Sequence, residues 1–324
     1  MKIIIIHDPD LLTTRGNQAG NINSYHCLVT TSIFNALSQL GHKVEIYGAD
    51  PDLEYYLTQR TPDLVFNTSI RCSHNSSYAY TPEILEKLKI PFTGPSAISC
   101  SNSFDKQKTL TILRKSDAIT PKSITFDSAD EIFVPKSIEF PLFVKPQRGG
   151  CSWGITEQSI IYSKITAIEQ IRHALESIGE PVIVEEFLSG REFTVGIIKN
   201  RPPKIFNVLE FCFKDGDLPF RSQSRKMATN EIEDSTGQAE LNDVDRLAIE
   251  NLALKAYTTL ECRDYARIDI RMDSKGIPTL LEVNAIPNLE PETSSFGLMA
   301  KNAGITFKAL IEIILESALE RYSK

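Results

Sequence analysis

The segment LLEVNAIP (280–287) sets a carboxylate and an amide, Glu282 and Asn284, two positions apart in an otherwise apolar run. Side chains alternate across a strand, so these two share one face while Leu281, Val283 and Ala285 share the other. Just upstream, YARIDIRMD (265–273) puts Arg267, Asp269 and Arg271 on one face and Ile268, Ile270 and Met272 on the other. If the two strands pair across the turn near Ser274–Gly276, two carboxylates and an amide converge. Oxygen donors of this kind suit magnesium, a hard ion that binds through one or two carboxylates plus substrate phosphates. The same residues can equally serve as ion pairs among Arg267, Arg271, Asp269 and Glu282. A second constellation is VKPQRGGCSWG (144–154), a lysine on an apolar strand followed by glycines whose exposed N–H groups can cradle phosphate. It lacks the G-x-x-x-x-G-K-[ST] spacing of a P-loop. Trp153 in that loop is expected simply to pack there. Cys72 and His74 have no second pair of metal ligands and read as an ordinary loop.

The elements that must position these groups are legible in outline. Over the first ninety residues strand and helix signals alternate: KIIIIH, SYHCLVTTSIFNALSQL with Ser24 as N-cap and Gly41 as stop, HKVEIYG, PDLVFNT and TPEILEKLK. Such alternation predicts a parallel sheet covered by helices. Ligands bind at the carboxyl ends of strands in such sheets, so the loop DPDLLTTRGNQAGNIN (8–23) is either a binding loop or a plain polar connection. A short helix is predicted around SFDKQKTLTILRK (103–115), and another over TAIEQIRHALESI (166–178). The latter has Thr166 and Glu169 spaced as a capping box and Ile168, Ile171, Leu175 and Ile178 facing the core. PVIVEEFLSGREFTVGII (181–198) reads as two strands joined at Ser189–Gly190. Residues 213–241 form a long polar stretch of the kind used as lids. A helix at 243–260, the two acidic strands and an amphipathic helix at 307–322 complete the chain.

Composition bounds the function. A chain of 324 residues with 41% hydrophobic content can bury a large core in two or three domains. The net charge of -7 argues against a nucleic-acid or membrane-surface binder and leaves small anionic ligands open. No stretch reaches the length of a membrane span, and MKIIIIHD is too short for a signal peptide. The six scattered cysteines fit a reducing compartment, so a cytoplasmic location is expected.

In this order, IPFTGPSAISCSNSFDK (90–106), FPLFVKPQRGGCSWGI (140–155), VEEFLSGREFTVGI (184–197), ARIDIRMDSKGIPTLLEVNAIPNL (266–289) and AGITFKALI (303–311) resemble the ATP-grasp superfamily, and within it the D-alanine-D-alanine ligase family. The resemblance runs from about residue 85 to the C-terminus. It implies an α/β, partly α+β, ATP-grasp fold. A Rossmann-like N-terminal parallel sheet (1–96) would precede a small central α+β domain (97–184) and a C-terminal α+β catalytic domain (185–324) with its lid at about 213–241. ATP would lie between two sheets, with Lys106, Lys145 and the lid's Lys226 on its phosphates. Glu185, Glu186, Phe187 and Leu188 would line the adenine pocket mainly through backbone groups, with Leu281 also against the nucleotide and Glu192 on the ribose hydroxyls. Asp269, Glu282 and Asn284 would hold two magnesium ions, manganese being an alternative. Arg267 would steady the oxyanion, with Ser152 in the phosphate loop.

The implied chemistry is ADP-forming ligation of a small-molecule carboxylate to an amine through an acylphosphate. The implied assembly is a homodimer built through the N-terminal domain. Several positions depart from the family pattern. The first loop lacks the family's substrate-binding glutamate, and NTSIRCSHNSSYAYTP (67–82) replaces its second-strand motif. Cys151 stands where the first serine of a Ser-Ser pair is expected, Met227 where a tyrosine is expected, and Asn288 where a Pro-Gly turn needs glycine. Ser295 matches the serine that grips the second substrate's carboxylate. The missing partners belong to one substrate-orienting network, so the expected activity is a ligase with an altered acyl donor in a specialised pathway. A genuine D-alanine-D-alanine ligase and a non-catalytic ATP-binding protein are the alternatives; an ATP-grasp carboxylase is the weaker one.

Overall fold

The computed structural model describes residues 1–8, 22–70, 78–130, 132–150, 152–213, 220 and 236–323, with side chains in the first helix from Leu28 onward. Residues 9–21 of the candidate binding loop, Cys72, His74, Cys151, Lys226 and Met227 lie outside the described residues.

Three sheets follow one another along the chain. The first is parallel, in the order β2-β1-β3, from β1 (Lys2–His7), β2 (Lys43–Gly48) and β3 (Leu64–Asn67). Helices α1 (Ile22–Gln39) and α2 (Leu53–Arg60) connect them and α3 (Tyr80–Leu88) follows. A central parallel strand is covered on both faces and must be apolar throughout. Ile3 and Ile5 accordingly face a core shared with α1 and the last helix, while Ile4 and Ile6 face one shared with α2 and α3. Helix α1 begins two residues before Ser24, so Ser24 is not its cap. It does stop at Gly41, whose φ of +83° lets the chain turn while the His42 amide bonds back to the Leu37 carbonyl at 3.2 Å.

The helix expected at 103–115 is two helices, α4 (Ala97–Phe104) and α5 (Lys106–Arg114), broken at Asp105. The Asp105 carboxylate caps α5 through the Lys108 amide and also accepts from Gln147 Nε2 at 3.1 Å and Arg148 Nε at 3.3 Å. That break anchors Lys106, the first residue of α5, beside the glycine loop.

The second sheet is antiparallel, β4-β7-β5-β6, from β4 (Ser123–Phe126), β5 (Leu142–Pro146), β6 (Ile160–Ile161) and β7 (Val182–Glu186). Helix α6 (Lys164–Ile178) covers it. The helix starts after Ser163, so Thr166 lies inside its first turn and forms no capping box. Its core stripe runs Ala167, Ile171, Leu175, and Ile168, about 100° round from Ala167, is 44% exposed.

The third sheet is antiparallel, β10-β9-β8-β11-β12, from β8 (Glu192–Ile198), β9 (Lys204–Phe211), β10 (Thr236–Gln238), β11 (Tyr265–Met272) and β12 (Pro278–Asn284). β10 and Phe220 are described within the predicted lid. Helix α7 (Asp243–Thr259) packs on this sheet, and Leu110 and Leu113 of α5 enter the same core. Helices α8 (Ser295–Asn302) and α9 (Phe307–Tyr322) close the chain, α9 against α1. β7 and β8 do not form a hairpin. Their connection carries the chain from the second sheet to the third, and the cleft described next opens between them.

One buried pair fastens the sheets together. Asp264, fully buried at φ +65°, accepts from Arg321 of α9 at 2.6 and 3.0 Å, from Asn200 at 2.7 Å and from the Gly94 amide at 2.7 Å. Arg321 also donates to the Phe92 carbonyl beside β3. Breaking a buried ion pair strands its partner. Asp264→Ala is expected to lower unfolding free energy by about 3–5 kcal/mol in urea titration.

Candidate active site

The floor of the cleft is the β11–β12 pair. Asp269 lies opposite Glu282 and Arg267 opposite Asn284, but Ile270 pairs with Leu280, so Leu281 is an extra residue on β12. Such a bulge turns consecutive side chains toward one side. Strict alternation assigned Leu281 to the core face with Val283 and Ala285. Instead it lines the cleft beside Glu282, while Val283 and Ala285 stay buried.

Asp269 is heavily engaged. It accepts from Arg267 Nε at 2.9 Å and Nη2 at 2.8 Å, from Thr194 Oγ1 at 2.7 Å and from Asn284 Nδ2 at 2.9 Å. The ion-pair alternative is thus realised for Arg267 and Asp269, whereas Arg271 pairs with Glu192 and Glu282 faces Lys106 at 3.9 Å. Among the described residues no three His, Cys, Asp or Glu side chains cluster as a metal cage. The donors present are two carboxylates directly across a strand pair plus an amide whose NH2 end is held by Asp269. That set is too small for a resident all-protein cage, and it fits a hard ion whose remaining ligands would be substrate phosphate oxygens and waters. Glu282→Gln is therefore expected to raise the magnesium concentration needed for half-maximal nucleotide binding at least about tenfold with an unchanged melting temperature, read by calorimetry.

The opposite wall comes from the second sheet. Lys145 of β5 is 6% exposed and ion-paired with Glu185 of β7, itself 3% exposed. Glu185 Oε2 is buried without a hydrogen-bond partner. Buried acceptors are almost always satisfied, so this oxygen fits a ligand N–H such as a purine amino group. Lys106 Nζ donates to the Gly149 carbonyl at 2.9 Å. Burial lowers its proton affinity and Glu282 opposes that shift; an added phosphate would act in the same sense as Glu282. Gly149 at φ +94° and Ser152 at φ +56° shape the loop, and Trp153 lines the cleft.

At the connection between β7 and β8, all four of Glu185, Glu186, Phe187 and Leu188 line the cleft, but not all of them offer free groups to it. The Glu186 carboxylate pairs with Lys122 at 3.2 Å and accepts from the Glu139 amide at 3.0 Å. The Glu186 and Phe187 amides bond the Lys122 and Pro141 carbonyls, so those two donors are committed to the second sheet. Phe143, Phe187, Phe211 and Phe220 make this end of the cleft apolar, with Glu192 and Arg271 set among them.

The cleft thus gathers Lys106, Lys145, Ser152, Glu185, Glu186, Phe187, Leu188, Glu192, Arg267, Asp269, Leu281 and Glu282, with Asn284 attached through Asp269. Ser295 is not in its wall. It is a 5% exposed residue in the first turn of α8, whose cap is Ser294 bonding the Gly297 amide at 2.9 Å. Gly297 is required there, since a Cβ would meet the Glu290 carbonyl oxygen at 2.4 Å. Of the aromatic rings the resemblance named only Phe187; Phe143, Phe211 and Phe220 come from separate parts of the chain with no shared spacing. Sequence reading saw Arg271 only as an ion-pair candidate.

The family model for the D-ala D-ala ligase C-terminus matches residues 116–316. The chain is similar to a D-alanine--D-alanine ligase B of Clostridium perfringens, 33% identical over 242 residues and covering 74% of this chain and 76% of that one. It is also similar to the D-alanine--D-alanine ligase of Aquifex aeolicus, 32% identical over 289 residues, covering 88% and 92%. The crystal structure of the Bacillus anthracis D-alanine--D-alanine ligase complexed with ATP superposes with a TM-score of 0.76 at 20% identity, over 100% of this chain and 99% of that one. With its three-sheet ATP-grasp fold and a cleft between the second and third sheets, the chain belongs to the D-alanine-D-alanine ligase family of ATP-dependent ligases that form carbon–nitrogen bonds.

Proposed function

We propose that this protein joins a small-molecule carboxylate to an amine, with ATP and two magnesium ions, and that its acyl donor is not D-alanine. ATP supplies the phosphoryl group that activates the carboxylate as an acylphosphate; the amine then forms the C–N bond, losing a proton as phosphate leaves. Lys106 and Lys145 neutralise phosphate oxygens, Asp269, Glu282 and Asn284 hold the magnesium, and Arg267 stabilises the oxyanion at the attacked carbonyl. Ser152 steadies the phosphate loop and Lys226 reaches the phosphates from the lid, which keeps water from the acylphosphate. The domains divide near residues 96 and 184, and the protein acts in the cytoplasm as a homodimer.

The observation that carries this reading is the meeting of Lys106, Lys145 and Arg267 with Asp269, Glu282 and an unsatisfied Glu185 oxygen in one cleft. The altered donor rests on the sequence at three positions: no glutamate in residues 8–23, Cys151 and Met227. A further support is Asp8 at the end of β1, whose 4% exposed carboxylate bonds Ser69 Oγ at 2.5 Å and the Ile70 amide at 2.9 Å, tying down the segment after β3. A site that has lost the family's loop glutamate as ammonium acceptor gains less from a free amino acid donor. ADP release across amino acid and organic acid pairs tests this, and brisk turnover on D-alanine alone would contradict it.

A further inference from the structure

Arg271 occupies a position that the reaction as described leaves without a task. It is one of the cleft's cations, yet it sits at the aromatic end, away from Lys106 and Lys145 and the phosphate-binding loop. Its side chain is 4% exposed. Nε donates to the Gly190 carbonyl at 3.0 Å and Nη1 to Glu192 Oε2 at 3.1 Å, Glu192 being its direct partner across β11 and β8. Its guanidinium carbon lies 4.9 Å from the Phe187 ring centre and 5.6 Å from that of Phe213. The group is therefore fixed on every side: a carbonyl of the β7–β8 connection, a ring of that connection, a ring just after β9, and a carboxylate at the start of β8.

A guanidinium anchored through Nε on the Gly190 carbonyl and donating through Nη1 to Glu192 Oε2 fixes where that carboxylate oxygen lies. A buried cation with a single anionic partner is costly unless other groups also stabilise it, and here the Gly190 carbonyl and the Phe187 and Phe213 rings do so. Glu192 lines the cleft. We propose that Arg271 is a positioning residue for nucleotide selectivity: it orients the Glu192 carboxylate toward the vicinal ribose hydroxyls and braces the Phe187 wall against which the base lies. The inference rests on the proposed placement of the nucleotide in this cleft, with Glu192 at the ribose.

The test compares binding of ADP and 2′,3′-dideoxy-ADP, with magnesium, to the full chain. Calorimetry gives affinities, and the fluorescence of Trp153, the single tryptophan and a cleft residue, gives an independent signal. The wild type is expected to prefer ADP by about 10–100-fold, the value of a charge-assisted hydrogen bond. In Arg271→Met the preference should fall to about 1–3-fold, through weaker ADP binding with dideoxy-ADP little changed. Glu192→Gln should show the same collapse, and adding Arg271→Met to it should change the preference no further, as for residues acting as one unit. Arg271→Lys, which keeps the charge without the fork, should fall between, and it supplies the readout if the methionine variant does not fold. Equal weakening of both nucleotides with the preference intact would make Arg271 a merely structural residue and overturn the proposal alone. A wild type that binds both nucleotides equally would overturn the placement of the ribose at Glu192, and the proposal with it.

Discussion

Replacing Arg267 by methionine is expected to lower kcat by about 10²–10³-fold while KM for ATP changes only a few-fold. Arg267 projects into the cleft from β11, its side chain 17% exposed, and is locked by two parallel bonds to Asp269 at 2.8 and 2.9 Å. A guanidinium held this way needs no reorganisation when negative charge develops nearby, which is the condition for a large effect on the chemical step. The substitution also releases Asp269 from its cation, but Thr194 and Asn284 still hold that carboxylate, so nucleotide binding should survive. Arg267→Lys should recover little, because an ammonium cannot keep the bidentate pair and face the substrate as well. Steady-state ADP release with kcat and KM separated checks this; a kcat within threefold of wild type would remove Arg267 from the mechanism.

Lys145→Met is expected to damage both folding and function, and the two can be separated. Lys145 and Glu185 are 6% and 3% exposed and ion-paired, so removing the lysine leaves a buried carboxylate with no cation. The expected loss is about 3–5 kcal/mol of unfolding free energy in guanidinium titration. Adding Glu185→Gln removes the stranded charge and should return most of that stability. Activity should stay at least about 100-fold down in the double variant, because the phosphate cation is still missing and the Glu185 oxygen no longer offers a charged acceptor. Restored activity alongside restored stability would mean that the pair is structural only.

Much of the catalytic floor was legible because alternation along a strand is a strict geometric rule. YARIDIRMD and LLEVNAI announced that Arg267, Asp269, Glu282 and Asn284 share a face, and the observed register joins them. The rule failed at Leu281 because a bulge is a property of the pairing between two strands and has no local signature in a run as apolar as TLLEV. The break between α4 and α5 was missed for a related reason. Asp105 is a good helix cap, but the Gln147 and Arg148 donors that make it one here lie more than forty residues away. The exposed Ile168 shows periodicity without context: Ala167, Ile171 and Leu175 form the face that packs on the sheet, and Ile168 lies beside it. Beyond Phe187, which the family resemblance named, the aromatic end of the cleft had no pattern to read, since Phe143, Phe211 and Phe220 join it only when two sheets face each other.

The central claim is that Asp269, Glu282 and Asn284 would hold the magnesium needed for nucleotide binding. Isothermal titration of ATP into the folded wild-type protein, with magnesium and then with chelator, addresses that directly. The account predicts saturable heat with magnesium, lost on chelation and weakened by Glu282→Gln. Nucleotide uptake that ignores magnesium, or none at all by protein with an intact unfolding transition, would contradict it.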